Sequence, residues 1–368
     1  MRRTLLWLCC LAPAAALVPV FAASVAVEPA APTKLDLPNV LTKVAVTGAT
    51  GRTGRLVVQE LLRQEVSTVV AIVRDTDKAA EVFPNPPANL EIVQCDLLQP
   101  KQIERVLQGV DATIWCATGF SSNQQNTSIL SKLKSLFGVV TKRTIDTVGL
   151  PAIGALYAGT DNEYQLPKLV LCSSAGVTRP IWDDDKKARF PGAADIPIVR
   201  LNPFGILDVK RESEDALRAT GVDYCIVRPA GLNDDWPTGS RPLFSQGDVA
   251  VGRIHRQDVA DVLVQVLTTP EATGKTFEMI SLAGYPKPSS IAPALARLLP
   301  DKEGLPPLES IAATYATMQQ LLPGETQNAA ALAMGQTYEQ LDRGEQGRLG
   351  ERGKENVEGA GLRPSQSE

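Results

Sequence analysis

An α/β fold, a doubly wound parallel sheet with helices on both faces, follows from three observations. Short β-branched runs alternate with stretches of helical period from Lys43 to about Leu282. The first run, KVAVT, passes through a glycine cluster straight into such a stretch. The chain, 368 residues with 44% hydrophobic content, is long enough to bury one large α/β domain. Alternation of this kind means parallel strands joined by helical crossovers.

In order, KVAVT (Lys43 to Thr47) is the first strand, and RLVVQELLRQ is a helix with Leu56, Val57, Leu61 and Leu62 at helical spacing. TVVAIVR and LEIVQ give the second and third strands. KQIERVLQG is a helix whose Ile103, Val106 and Leu107 share a face, and ATIWCAT is the fourth strand. LPKLVLCSS is the fifth strand, ILDVKRESEDALRAT a long amphipathic helix, VDYCIVRP the sixth strand, and QDVADVLVQVLTT a helix before TFEMIS. The domain therefore spans residues 42–285. Thr118 to Leu166 is too long for an ordinary connection, so it holds the crossover helix and an insertion, residues 120–166. Residues 286–342 read as a helical extension, and 343–368 are too polar and glycine-rich to order themselves.

Residues 1–22 carry Arg2 and Arg3, an apolar run and small residues around Ala22, the pattern of a removable presequence. Pro13 and Pro19 make that run marginal as a permanent membrane helix, and no later segment is long and apolar enough to span a bilayer. An Ala/Pro-rich linker, residues 23–41, follows. Cys95, Cys116, Cys172 and Cys225 lie in or beside apolar strands, as buried thiols do. Secretory and organellar routes both fit. A net charge of -4 gives no basic footprint for nucleic acid, and the single histidine, His255, argues against a zinc site. His255 reads as structural, before a helix that Asp258 can cap. WDDDKKAR, with lysines directly after its acids, reads as a solvated loop rather than an ion site.

The turn after the first strand is TGATGRTG, with Gly48, Thr50, Gly51, Arg52, Thr53 and Gly54 as its candidate contacts. A helix that opens directly after a strand aims unpaired N–H groups and its positive dipole end at the turn, where a pyrophosphate can sit. Glycines allow the tight turn and the close approach of phosphate, so the pattern points to a dinucleotide. At the end of the second strand, Arg74 lies 20 positions after Gly54, and Arg52 is a second cation in the turn. A 2′-phosphate, hence NADP(H), is favoured, although a one-residue slip would bring Asp75 to a ribose hydroxyl. After the third strand, Asp96 and Leu97 either approach the adenine or, through Asp96, cap a helix beginning near Lys101.

The ordered series TGATGRTG, IVRD, CDL, WCATG, LCSSAGV and DYCIVRPAGL resembles the atypical short-chain dehydrogenase/reductases. Within them it is most similar to NAD(P)-binding proteins of plant and algal plastids and to NmrA-like regulators. The resemblance covers about Lys43 to Leu282 and implies a Rossmann-type fold and a plastid location. It implies that Ala117, Thr118 and Gly119 line the cofactor ribose, that Pro229, Ala230 and Leu232 lie toward the nicotinamide, and that Ser174, with Ser173 beside it, is the serine after strand five. Active members follow that serine with Tyr-x-x-x-Lys on the next long helix. Here Lys210 fills the lysine position, able to bind the nicotinamide ribose, and Ile206 stands where the tyrosine would be.

EYQLPK offers Tyr164 and Lys168 at the same spacing, but they precede the serine and flank Pro167, which cannot sit inside a helix. The match is coincidental. An isoleucine cannot donate a proton, so any acid must come from elsewhere: Tyr157 or Tyr164 of the insertion, or a water held by Ser174. Three functions stay open: an NADPH-dependent reductase of a small conjugated carbonyl or quinone, a non-catalytic NADP-responsive protein, or an assembly factor using the domain as a scaffold. Expected partners are the nucleotide and a small-molecule substrate; no protein partner is legible.

Overall fold

The computed structural model describes residues 37–119, 144–202 and 205–320, all within one unit that starts at Lys34. The presequence, most of the linker, residues 120–143 of the insertion, and everything after 320, including the tail, lie outside the described residues.

Ten strands are present among the described residues: β1 Lys43–Thr47, β2 Thr68–Val73, β3 Leu90–Gln94, β4 Ala112–Trp115, β5 Leu169–Cys172, β6 Tyr224–Pro229, β7 Gly231–Leu232, β8 Ser240–Ser245, β9 Arg253–Ile254 and β10 Lys275–Pro286. Eight of them form one sheet in the order β3-β2-β1-β4-β5-β6-β10-β8, parallel except for the antiparallel edge pair β10–β8. The main helices are α1 Gly54–Arg63, α2 Thr76–Val82, α3 Pro100–Val106, α4 Ile145–Tyr157, α5 Ile206–Ala219, α6 Arg256–Gln265 and α7 Leu308–Gln320.

The parallel strands read as unbroken apolar runs because helices cover both faces. On one face α1 and α6 pack together over Val44, Val46, Ile114 and Val170. On the other, α3, α4 and α5 cover Ala45, Trp115, Leu171 and Ile226. Strand order reverses between β1 and β4, so the carboxyl ends of these two strands open a crevice at the topological switch point.

Four local features differ from the sequence reading. The linker contributes to the core, since a short helix, Leu37–Val40, and the next residue bury Leu37 and Leu41. SRPLFS forms β8, an edge strand that tolerates Pro242 because one side of an edge strand needs no N–H donor. WDDDKKAR is not a loop: Asp183 caps a helix at Asp184–Arg189 by accepting from the Lys186 N–H at 2.7 Å. Before that helix, Trp182 is buried against Phe190, which in turn packs on Tyr315 of α7. Finally, His255 itself caps α6, its Nδ1 accepting from the Gln257 N–H at 2.9 Å, while buried Asp258 accepts from the Gly239 N–H.

Candidate functional site

The glycine-rich turn lies on the crevice between β1 and β4. Gly48 has φ +64°, and a Cβ there would stand 2.7 Å from the backbone of Ala117, so the turn packs directly on the end of β4. A Cβ at Gly54 would overlap the carbonyl oxygen of Gly48. These two glycines close the turn. Gly51 differs: its added Cβ would meet only that carbonyl, at 3.0 Å, and otherwise open space. The cradle therefore fits a bound phosphate, whose approach to α1 requires a bare backbone beside the helix N-terminus.

Arg52 extends from this turn to Asp234, 2.9 Å away, which Arg256 also pairs at 2.7 Å. Burial opposes ionisation of Asp234, yet hydrogen bonds from Arg256 and Arg52 hold its carboxyl below the ordinary range. At the end of β2 the Arg74 side chain is exposed, and its carbonyl accepts from Gln94. The Asp75 carboxylate is committed as the cap of α2, accepting from the N–H groups of Asp77 and Lys78 at 3.0 and 3.1 Å. Asp96 does not cap α3, whose cap position is Gln99; its carboxylate accepts from the Leu98 N–H in a local turn, and Leu97 is buried.

After β4, Ala117 is buried, Thr118 is exposed, and Gly119 donates its N–H to Asp146 of α4 at 2.9 Å. After β5, the buried Ser173 hydroxyl donates to Glu214 at 2.5 Å, while Ser174 is half-buried and donates to the Ala175 carbonyl. Pro229 ends β6, Ala230 donates its N–H to Met279, and Leu232 lies in the short β7–β9 pair.

Lys210, in α5, is half-buried, and among the described residues its ammonium has no ion-pair or hydrogen-bond partner. Ile206 opens α5 and packs on the apolar cluster of Val177, Ile196, Val199 and Leu207. Tyr157 is buried with its hydroxyl on Thr113, 2.8 Å away, and burial pushes its pKa up. Tyr164 is exposed in the loop that leads into the amino end of β5, opposite the crevice.

Sequence reading missed Glu214. Fully buried on α5, it receives Arg228 at 3.0 and 2.5 Å, Arg218 at 3.2 Å and the Ser173 hydroxyl. Burial alone would raise its pKa; the two arginines and the serine hold it below the ordinary range. The signal was Arg228 itself, an arginine inside the apolar run YCIVRP, because a buried guanidinium demands a carboxylate. A groove of about 700 Å³ lined by Phe244, Leu298 and Ile311 lies apart from the crevice and shares no residue with it.

Switch-point crevice, glycine turn and helix N-terminus together define a dinucleotide-binding α/β protein. Residues 48–270 match the model of the NAD(P)H-binding family, and the chain belongs to that family. An uncharacterized chloroplastic protein of Arabidopsis thaliana is 32% identical over 254 residues, covering 67% of this chain and 79% of that one. The chloroplastic protein TIC 62 of the same plant is 27% identical over 319 residues, 80% of this chain; the chain spans only 44% of that relative. Sanguinarine reductase of Eschscholzia californica is 27% identical over 254 residues, 64% of this chain and 88% of that one.

Proposed function

We propose that the protein is an NADPH-dependent reductase of a small conjugated carbonyl or quinone. Two observations bear on the cofactor: exposed Arg74 is a cation at the place where a 2′-phosphate would lie, and the neighbouring Asp75 carboxylate is occupied as a helix cap. Gly48, Gly51 and Gly54 would let the turn and the start of α1 meet the pyrophosphate, with Thr50, Arg52 and Thr53 beside it. Ala117, Thr118, Gly119 and Lys210 would contact ribose, Asp96 and Leu97 the adenine side, and Ser173, Pro229, Ala230 and Leu232 the nicotinamide side. Bound NADPH supplies a hydride. Ser174 would hold the substrate oxygen or a water that delivers the proton. A relative named sanguinarine reductase supports the reductase assignment.

Ile206 carries the choice of substrate. Packed among aliphatic side chains at the family's tyrosine position, it donates no proton, and loss of a general acid costs about 10²–10⁴ in rate. Acceptors that delocalise incoming charge ask least of an acid. The test is NADPH oxidation by the purified protein with a quinone and with a simple ketone. Quinone turnover with ketone turnover slower by about a hundredfold or more is the expected result. Rapid ketone reduction overturns the assignment, and no oxidation with either favours the second reading, an NADP-responsive binding protein, to which Ile206 also points.

We also propose a plastid location after removal of residues 1–22, from the presequence pattern and from relatives named as chloroplastic. Sequencing the amino terminus of protein recovered from plastids should find Met1 gone; retention of Met1 in cytosolic protein refutes it.

A further inference from the structure

Cys116 follows the last residue of β4 and Cys172 is the last residue of β5. The register that pairs Trp115 with Leu171 brings these two opposite one another at the next position, and paired residues on neighbouring strands project to the same face. Both pack at the edge of the same apolar cluster. Both are free and half-buried, unlike Cys95 and Cys225, which are buried. The two thiols titrate as a pair: interaction with Cys172, and then burial, raise the Cys116 pKa, while interaction with Cys116 lowers that of Cys172 against the opposing effect of burial. The positive charges of Lys210 and Arg256 also favour the Cys172 thiolate. One residue beyond each cysteine begin the segments of the candidate site, Ala117–Gly119 and Ser173–Ser174.

We propose that Cys116 and Cys172 form a redox-active dithiol, a site of reversible disulfide modification by low-molecular-weight disulfides, which lowers nucleotide affinity. The Cys172 thiolate attacks one sulfur of the small disulfide, its S–S bond breaks, and the leaving thiolate takes the proton that Cys172 gave up. Cys116 then loses its proton, attacks the Cys172 sulfur of the mixed disulfide and expels the second small thiolate, which is protonated. Two protein thiols and one small disulfide become one protein disulfide and two small thiols. Neighbouring strands stand about 4.8 Å apart, inside the roughly 4.4–6.8 Å that bridged Cα atoms span but short of their usual value of about 5.5–6 Å, so the bridge can close and oxidation pushes the ends of β4 and β5 apart by up to about 1 Å. That movement reaches the backbone proposed to line the ribose. The effect on affinity rests on the NADP reading above; the bridge itself does not.

The full chain is equilibrated in glutathione buffers of graded redox ratio, alkylated, and mapped by peptide mass spectrometry, with NADP affinity measured at each end of the series. A linked Cys116–Cys172 peptide, reversible by reduced glutathione, with Cys95 and Cys225 alkylated only after denaturation, is expected. NADP affinity should fall at least tenfold on oxidation in the wild type and become insensitive to the buffer in Cys116→Ser. Absence of the linked peptide under the most oxidising buffer overturns the site. A linked protein with unchanged affinity overturns its control of binding. Reduced protein that fails to bind NADP or NAD at all refutes the cofactor reading instead, and leaves the mapping result to judge the dithiol.

Discussion

Alanine at Gly51 and alanine at Gly54 should separate two roles within one turn. At Gly54 the new methyl would overlap the Gly48 carbonyl oxygen, with Gly48 C at 2.9 Å and Ala49 Cα at 3.1 Å. All three are backbone, so the turn must move, and overpacking of this kind costs about 1–3 kcal/mol. At roughly 2–4 °C per kcal/mol, that is a fall of about 2–12 °C in Tm. At Gly51 the methyl meets one carbonyl oxygen at 3.0 Å, which a shift of a few tenths of an ångström relieves. Stability should change by less than about 1 kcal/mol. Under the proposed reading that methyl stands on the phosphate side, where one lost or lengthened charge-assisted hydrogen bond is worth about 1.5–3 kcal/mol. Gly51→Ala should therefore weaken NADP by about 10-fold to 150-fold while Gly51→Ala and wild type melt within a few degrees. Calorimetric titration beside thermal unfolding reads both quantities. A well-folded Gly51→Ala that binds NADP as tightly as wild type would refute the placement of the phosphate.

Arg74→Ala should weaken NADP by about tenfold, less in high salt, and leave NAD unchanged, as titrations at two ionic strengths would show; equal losses for both nucleotides contradict the 2′-phosphate contact. Glu214→Ala strands buried Arg228 and frees Ser173, and should cost about 3–5 kcal/mol in urea unfolding at pH 7. Because the folded pKa of Glu214 is depressed, its contribution is present above the ordinary carboxylate range and is lost as pH falls through the lower folded value. Glu278 has the opposite sign: burial, and then the charge of Asp248, raise its pKa to about 7, so native protein holds a proton that unfolded protein releases. Stability should therefore fall between pH 4.5 and about 7 on its account, and Glu278→Gln, which keeps an acceptor for the Ser245 hydroxyl, should flatten that fall in unfolding series from pH 5 to 8.

The succession of the parallel strands along the chain was legible because each is an apolar run bounded by polar or glycine residues, and the glycine spacing located the turn; the order of the strands across the sheet required the fold. β8 was not legible, since Pro242 reads as a breaker until the sheet shows it on an edge. Caps were read three positions off: an acid near a helix start is a general signal, and only geometry separates His255 from Asp258, or Gln99 from Asp96. The Glu214 network joins residues 14 and 41 positions apart, a separation no local period encodes. That an isoleucine, Ile206, stands four residues before Lys210 was legible, whereas its packing against Val177 and Val199 required the fold.

Asp75 ties two properties that an engineer would wish to vary separately. Its carboxylate, one residue beyond Arg74, is the acidic group nearest in sequence to the place where a ribose diol would be recognised, and it already terminates α2. Turning it toward a ribose hydroxyl would leave the first N–H groups of α2 without their cap, a loss of about 1 kcal/mol. A change of nucleotide preference made by removing Arg74 alone would thus pull against helix stability. It calls for a single substitution that puts an acid at residue 74 and leaves Asp75 where it is.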